Sequence, residues 1–404
     1  MAFEVDYLKL LRRIGNFTKE VSGVSIIDAY FGPIKLSPEI EKRHLSPDIL
    51  LMDLDNLIGK AKEIDDELKR LAITGDLESL RAVVKWLSVE NIPYRRLVEE
   101  IFGITPRKFN QKEINRGRQI VNDACAILPG SDVAEKVRKW EEENEITGKA
   151  LEKMINTEIV ERTQEIKVLY ERRILNYIPT KVENKGVIYE TVTGEPWISY
   201  NYYKGDYTSI NAFNIDLPFN RYRLIQGLCH EYEHHVSNLF IEKYYRENKA
   251  LDLSVILLLT KRSAISEASA ECAKDFLGLK IGEYAEFMES LSNLQWMVNL
   301  NAAYMLNVEY ADEQTIVEYM FSEGMELIRE AMKWIEFSRP LTSDDKPNFF
   351  KPYIHTYFFG KNDYIYPTFL KAHEKGKLKE FFQTLYLNPY SRSTSTWKKA
   401  FSMI

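Results

Sequence analysis

Three cysteines, six histidines and no long apolar run are what this chain of 404 residues has little of. Cys125, Cys229 and Cys272 are odd in number and widely spaced, so they offer neither a disulfide framework nor a C-x-x-C pair; they read as free, buried thiols of a reducing compartment. The longest aliphatic run, Val255 to Leu259, is far below the ~20 residues that a spanning helix needs. The first residues, MAFEVDYLKLLRRIG, carry charge along their length, unlike an export signal. A net charge of −6 argues against a nucleic-acid or anionic-membrane surface. The expectation is a cytoplasmic protein with no nucleic-acid or membrane partner.

The scarcity of histidine sharpens what is present, because three of the six lie at 230, 234 and 235 within GLCHEYEHHVSNLF. His230, Glu231 and His234 form an H-E-x-x-H pattern. Apolar Leu224, Ile225, Leu228, Val236, Leu239, Phe240 and Ile241 recur mostly at spacings of three and four, with Pro218 and Asn220 upstream as start signals, so a helix is predicted. On a helix, residues i and i+4 share a face, so both imidazoles reach one metal ion while the Glu projects beside it. That donor set suits one Zn²⁺ ion with an open position for water, and Glu231 is the candidate general base. His235 is turned about 140° from His230 at ~100° per residue and cannot share the ion; it reads either as a residue supporting the site or facing substrate, or as an ordinary polar residue.

A third ligand is required. The extension to HExxHxxGxxH is absent, which leaves a Glu from a later helix. ISEASAECAKDFLG places Glu267 and Glu271 one turn apart among Ala and Ser, whose small side chains permit close approach to the His helix. Glu267 is assigned as ligand and Glu271 as partner of the far nitrogen of a ligating histidine, with the two roles exchangeable.

With these motifs on the page, the chain resembles the gluzincin metallopeptidases. PYIHTYFFGK, residues 352 to 361, is similar to the Tyr-rich segment of the helical zinc carboxypeptidases and oligopeptidases. The stretch from Tyr207 to Glu231 resembles the approach to the metal motif in an uncharacterised bacterial family of metallopeptidases, whose Pro-Gly insertion before the second histidine is missing here. The resemblance implies a peptide substrate and an oxyanion contact from Tyr357 or His355, with Tyr353 as alternative substrate contact; ordinary aromatic packing is the competing reading. It also implies an edge strand that binds extended peptide, where Asn211 would contact a substrate amide or merely end a strand. A carboxypeptidase needs a cation for the terminal carboxylate, and Arg221, Arg223, Arg329, Lys361 and Arg392 are all open candidates. Two further functions are carried: a helical binding or scaffold protein with a vestigial metal site, and a zinc hydrolase of a non-peptide amide or ester.

The expected fold is mainly α with a small antiparallel sheet, arranged as two helical lobes around a zinc cleft. Residues 1–180 would form a helical lobe or lid and residues 181–404 the catalytic domain. Helical periodicity covers 47–74, 76–103, 111–128 and 131–175. Within the last span, the charged run 137–173 reads as a coiled-coil arm or, because strict heptads are absent, as a curved helix over the cleft. Val, Ile, Tyr and Thr enrichment over 185–216, with turn signals at Gly194-Glu195-Pro196 and Gly205-Asp206, predicts the sheet.

Overall fold

The computed structural model describes residues 2–33, 45–88, 91–195, 198–280 and 282–404. The principal helices are α1 (Ala2–Ser22), α2 (Pro47–Ala61), α3 (Glu67–Leu87), α4 (Tyr94–Phe102), α5 (Gln111–Ala124), α6 (Val133–Glu143), α7 (Val160–Arg173), α8 (Arg221–Asn248), α9 (Lys261–Glu271), α10 (Ala285–Tyr304), α11 (Glu313–Glu323), α12 (Ile328–Ser338), α13 (His355–Gly360) and α14 (Leu378–Leu387). The strands are β1 (Ile27–Tyr30), β2 (Gly186–Val192), β3 (Ser199–Gly205), β4 (Thr208–Asn214) and β5 (Val255–Leu257). The fold is mainly α, as the periodicity predicts.

Local chemistry breaks the long periodic spans. The first ends where Asp66 caps a new helix by accepting a hydrogen bond from the Lys69 amide at 2.9 Å. The second is divided before Pro93, which precedes α4. The charged run 137–173 is neither a coiled coil nor one curved helix. It stops after Glu143, pairs Glu145–Ile146 with Phe219–Asn220 as a short antiparallel ladder, and turns at Gly148, whose φ of 55° disfavours a side chain.

The strands fall where predicted, but the sheet is mixed. Its order is β2-β4-β3, with β3 antiparallel to β4 and β2 parallel to it. The predicted turn at Gly205-Asp206 is realised one residue along, at Asp206 and Tyr207, whose φ values of 52° and 61° suit a two-residue hairpin that follows strand twist. Glu242, fully buried on α8, accepts hydrogen bonds from both of their amides at 2.9 and 3.0 Å and so ties the hairpin to the metal-motif helix. In the other predicted turn, Gly194-Glu195-Pro196, Pro196 lies outside the described residues.

Two apolar cores flank the site. One joins Leu8, Leu80 and Val98 to Leu291, Leu300 and Phe359; the other joins Ile159 and Ile166 to Leu228, Val236, Phe276 and Phe381. Helix α9 is the wedge between them, since Ala264 belongs to the first and Ile265 and Ala268 to the second. Its start is fixed by a reciprocal capping box between Thr260 and Ser263. Its small residues do more than admit α8. A Cβ built on Gly360 would lie 2.9 Å from the Ala264 carbonyl oxygen and 2.9 Å from Ala268 Cβ, so α13 packs against α9 almost backbone to backbone.

Candidate metal centre

Helix α8 begins at Asn220, whose side chain accepts from the amides of Tyr222 and Arg223 at 3.0 and 3.4 Å, a cap worth about 1 kcal/mol. From that fixed start, His230 and His234 emerge one turn apart with their Nε2 atoms 3.1 Å from each other. Glu267 Oε2 stands 3.4 Å from the first and 3.5 Å from the second. For a tetrahedral zinc with ligand bonds of about 2.0–2.1 Å, ligand atoms are about 3.4 Å apart. The three edges of this triangle therefore fit one such ion, and these residues form a compact, gluzincin-type metal-binding geometry.

The outer nitrogens are committed as well. His230 Nδ1 lies 3.1 Å from Glu271 Oε1, and His234 Nδ1 lies 3.2 Å from Ser266 Oγ, so that with a metal bound each Nε2 would face the centre as a lone pair. Tyr353 donates to Glu267 Oε1 at 2.8 Å, leaving Oε2 for the centre. Burial disfavours the charged form of His230, yet the carboxylates of Glu267 and Glu271 outweigh it and raise the imidazole well above its ordinary value. Burial likewise penalises the Glu267 carboxylate, but His234 and His230 hold it far below the usual range. The pocket thus already favours a carboxylate beside positive charge. Glu271→Ala should lower zinc affinity roughly 10- to 100-fold, the scale for a lost outer partner. Competition with a chelator measures it, and a larger loss than in Glu267→Ala would exchange the two roles.

Glu231 lines the same cavity as the triad and is 8% exposed, accepting a hydrogen bond from Ser199 Oγ at 3.1 Å. Ser199 comes from β3, an edge strand of its sheet, whose Ser199, Tyr200 and Asn201 line a cavity of about 960 Å³ that also contains the metal ligands. Tyr357 lines the same cavity, its ring centroid 6.2 Å from that of His230. Its hydroxyl has no hydrogen-bond partner among the described residues. Burial, followed by the charges of Glu267, Glu271 and Glu231, raises the phenol well above its ordinary value and keeps it a donor.

Three expected site residues lie elsewhere. His355 is fully buried, with Nε2 3.0 Å from the Tyr94 hydroxyl; being two residues from both Tyr353 and Tyr357, it projects roughly 200° away from the cavity face. His235 points into the sheet, its Nδ1 2.8 Å from Ser209 Oγ and its Nε2 3.0 Å from Asn184 Oδ1, and touches neither metal ligand nor cavity. Asn211 is 1% exposed and accepts a hydrogen bond from its cross-strand partner Asn201, so Asn201 faces the cavity in its place. Of the five cations, Arg223, Lys361 and Arg392 line the cavity, whereas Arg221 and Arg329 do not. Arg223 is held by Glu141 at 2.5 Å and Lys361 by Asp275 at 2.9 Å. The Nη atoms of Arg392 are buried without a hydrogen bond, 3.8 Å from Glu233 at the nearest.

Burial pushes both His235 and His355 down to about 3. Each is neutral when folded but takes up a proton in the unfolded chain below about 6.5. Their contribution is therefore fully present above that pH and is lost as pH falls, by up to about 1.4 kcal/mol per pH unit per histidine until about pH 3. His355→Gln, which can still bond Tyr94, should flatten the pH slope of urea-unfolding stability between pH 6.5 and 5 relative to wild type. Equal slopes would contradict a neutral buried His355.

Several contributors had no signal in the sequence. Asp28 reaches the cavity on β1, where it accepts a hydrogen bond from Tyr200; burial raises its carboxyl to about 6. Glu233, inside the motif itself, is wholly buried and accepts from Ser237, Ser269 and Tyr170 at 2.7, 2.6 and 3.0 Å and from Tyr386 at 2.5 Å. Unpaired, such a carboxylate would cost several kcal/mol; paired, it locks α8 to α7, α9 and α14. Among the described residues no helix is long and apolar enough to cross a membrane.

No protein-family profile matches the chain, and no curated protein matches it. Its fold is similar to that of two solved structures. One, a candidate lipoprotein from Colwellia psychrerythraea, is 12% identical at a TM-score of 0.50, over 90% of this chain and 72% of that one. The other, a candidate lipoprotein of unknown function from Shewanella oneidensis, is 16% identical at a TM-score of 0.51, over 88% and 72%. At these identities the likeness establishes a shared fold, and the reading of the site rests on its own geometry.

Proposed function

We propose that this protein is a zinc-dependent peptidase that hydrolyses short or unfolded peptides. The observation that carries the proposal is the convergence of His230, His234 and Glu267 on one point, with Glu231 alongside, in a cavity walled by an edge strand. Zinc, when bound by the triad, would polarise the scissile carbonyl and acidify a water molecule. The steps assigned to the protein follow from its own side chains. Glu231, steadied by Ser199, takes the proton of the attacking water and returns it to the leaving amine. Tyr357 donates its free hydroxyl to the oxyanion that develops on the carbonyl oxygen.

The edge strand supports a peptide over a non-peptide amide or ester. Strand β3 pairs with β4 on one side and, among the described residues, forms no ladder on the other, although β1 packs against it; an extended substrate would bond its main chain where it borders the cavity at Ser199, Tyr200 and Asn201, recognition that reads backbone more than side chains.

The test is mass-spectrometric mapping of cuts made by the zinc-loaded protein in a mixed peptide library. Peptide cleavage that stops on chelation and returns with zinc is the expected result. Terminal trimming would mark an exopeptidase, and internal cuts an endopeptidase. A protein that binds zinc and cuts no peptide would overturn the proposal in favour of non-peptide hydrolysis or a scaffold role.

A further inference from the structure

Part of the cavity wall is aromatic to a degree that metal chemistry does not require. Six rings follow one another in a closed circuit: Trp296 to Trp334 at 5.1 Å between centroids, Trp334 to Phe337 at 5.9 Å, Phe337 to Phe350 at 5.6 Å, Phe350 to Tyr353 at 6.0 Å, Tyr353 to Tyr357 at 5.8 Å, and Tyr357 back to Trp296 at 5.4 Å. All six line the cavity. Only Tyr353 is buried, while the other five are half-buried. Rings serving only as core would have sealed one another from the cavity; these keep part of their surface open to it.

The circuit is joined to the metal centre and is held from behind. Tyr353 donates to the ligand Glu267, and Tyr357 packs 6.2 Å from the ligand His230. On the far side, the Asn299 amide, turned to satisfy both of its neighbours, accepts from Trp334 Nε1 at 3.0 Å and donates to Glu326 Oε1 at 2.6 Å. The indole N–H is thus satisfied away from the cavity, and its apolar body is what the cavity meets. The rings come from α10, α12, the segment after it and α13, so their spacing is set by helix packing and exists before any ligand arrives.

We infer that these six rings form a specificity subsite that takes one large apolar side chain, aromatic above all, of the residue flanking the scissile bond. The inference rests on the peptidase reading and deepens it: the preferred substrates are peptides with Phe, Tyr, Trp or Leu at one side of the cut. An edge strand supplies affinity without side-chain selection, so this wall supplies the selection.

The experiment compares the zinc-loaded wild type with Trp334→Ala, Phe337→Ala and Phe350→Ala on one peptide library, none of these positions touching a metal ligand. Wild type should favour Phe over Ala beside the cut by at least ~10-fold in kcat/KM, the scale on which an apolar pocket discriminates. The variants should lose most of that ratio, with Ala-flanked peptides cut within about 2-fold of the wild-type rate. Zinc content and circular dichroism establish that each variant is folded. Phe337→Leu keeps apolar bulk without the ring, and should shift preference from aromatic towards aliphatic residues if the Ala variant does not fold. Cleavage without preference, or a preference unchanged in every variant, overturns the subsite. If wild type cuts nothing, tryptophan fluorescence is titrated with N-acetyl-phenylalaninamide and N-acetyl-alaninamide. Tighter binding of the first, lost in Phe337→Ala, would sustain the subsite while the peptidase reading fails; equal responses would overturn the subsite.

Discussion

Glu231→Gln should bind zinc at wild-type stoichiometry, unfold at the wild-type temperature, and hydrolyse peptides at least ~10²-fold more slowly. The amide matches the carboxylate in size and can still meet Ser199 Oγ, now 3.1 Å from Oε1, so the local structure is preserved. What it lacks is a basic oxygen to take the proton from water. The loss should appear in kcat and kcat/KM alike, because the removed function operates in the transition state. Unchanged hydrolysis in Glu231→Gln would rule out this residue as the base. Slow hydrolysis accompanied by lost zinc would mean that the substitution had disturbed the triad, a result that metal analysis separates.

His230→Ala and His234→Ala should each abolish stoichiometric zinc. Removing either leaves two protein donors where the geometry holds three, and it strands the partner arranged behind the ring: Glu271 at 3.1 Å from His230 Nδ1, or Ser266 at 3.2 Å from His234 Nδ1. The adjacent His235→Ala is the informative control. It should keep zinc, because the ring faces Ser209 and Asn184, but lose stability, since the fully buried Ser209 hydroxyl becomes unsatisfied at about 1–3 kcal/mol, whereas half-buried Asn184 Oδ1 still accepts from the Gly186 amide. Metal analysis and thermal unfolding of the three variants give opposite signatures: the first two lose metal, the third loses melting temperature. Full zinc occupancy in His230→Ala or His234→Ala would remove the proposed centre.

The sequence by itself determined the elements whose information is local. His230, Glu231 and His234 could be placed on one helix because i and i+4 repeat on a helical face whatever surrounds it. The partner helix with Glu267 and Glu271 was legible from its small residues, and the strands over 186–214 from their composition. The helix breaks were less legible, since the Asp66 cap and the positive φ at Gly148 compete with an otherwise continuous apolar pattern.

Facing directions were decided by the tertiary structure. His355 and Tyr357 are two residues apart, and only the packing of α13 against α9, at Gly360, determines which of them meets the cavity. Asn201 and Asn211 are directly opposed on neighbouring strands and share a face of the sheet, and only the strand order, with β3 at the edge and β4 in the centre, puts Asn201 and not Asn211 at the cavity. Asp28 and Trp296 reach one cavity from positions far apart in the chain because β1 pairs with β5 and α10 packs beside α12, contacts formed by burial of apolar faces and carrying no local pattern. A motif repeats with the geometry of one element, whereas a cavity is the space left between several, so its lining is settled only when their cores have packed.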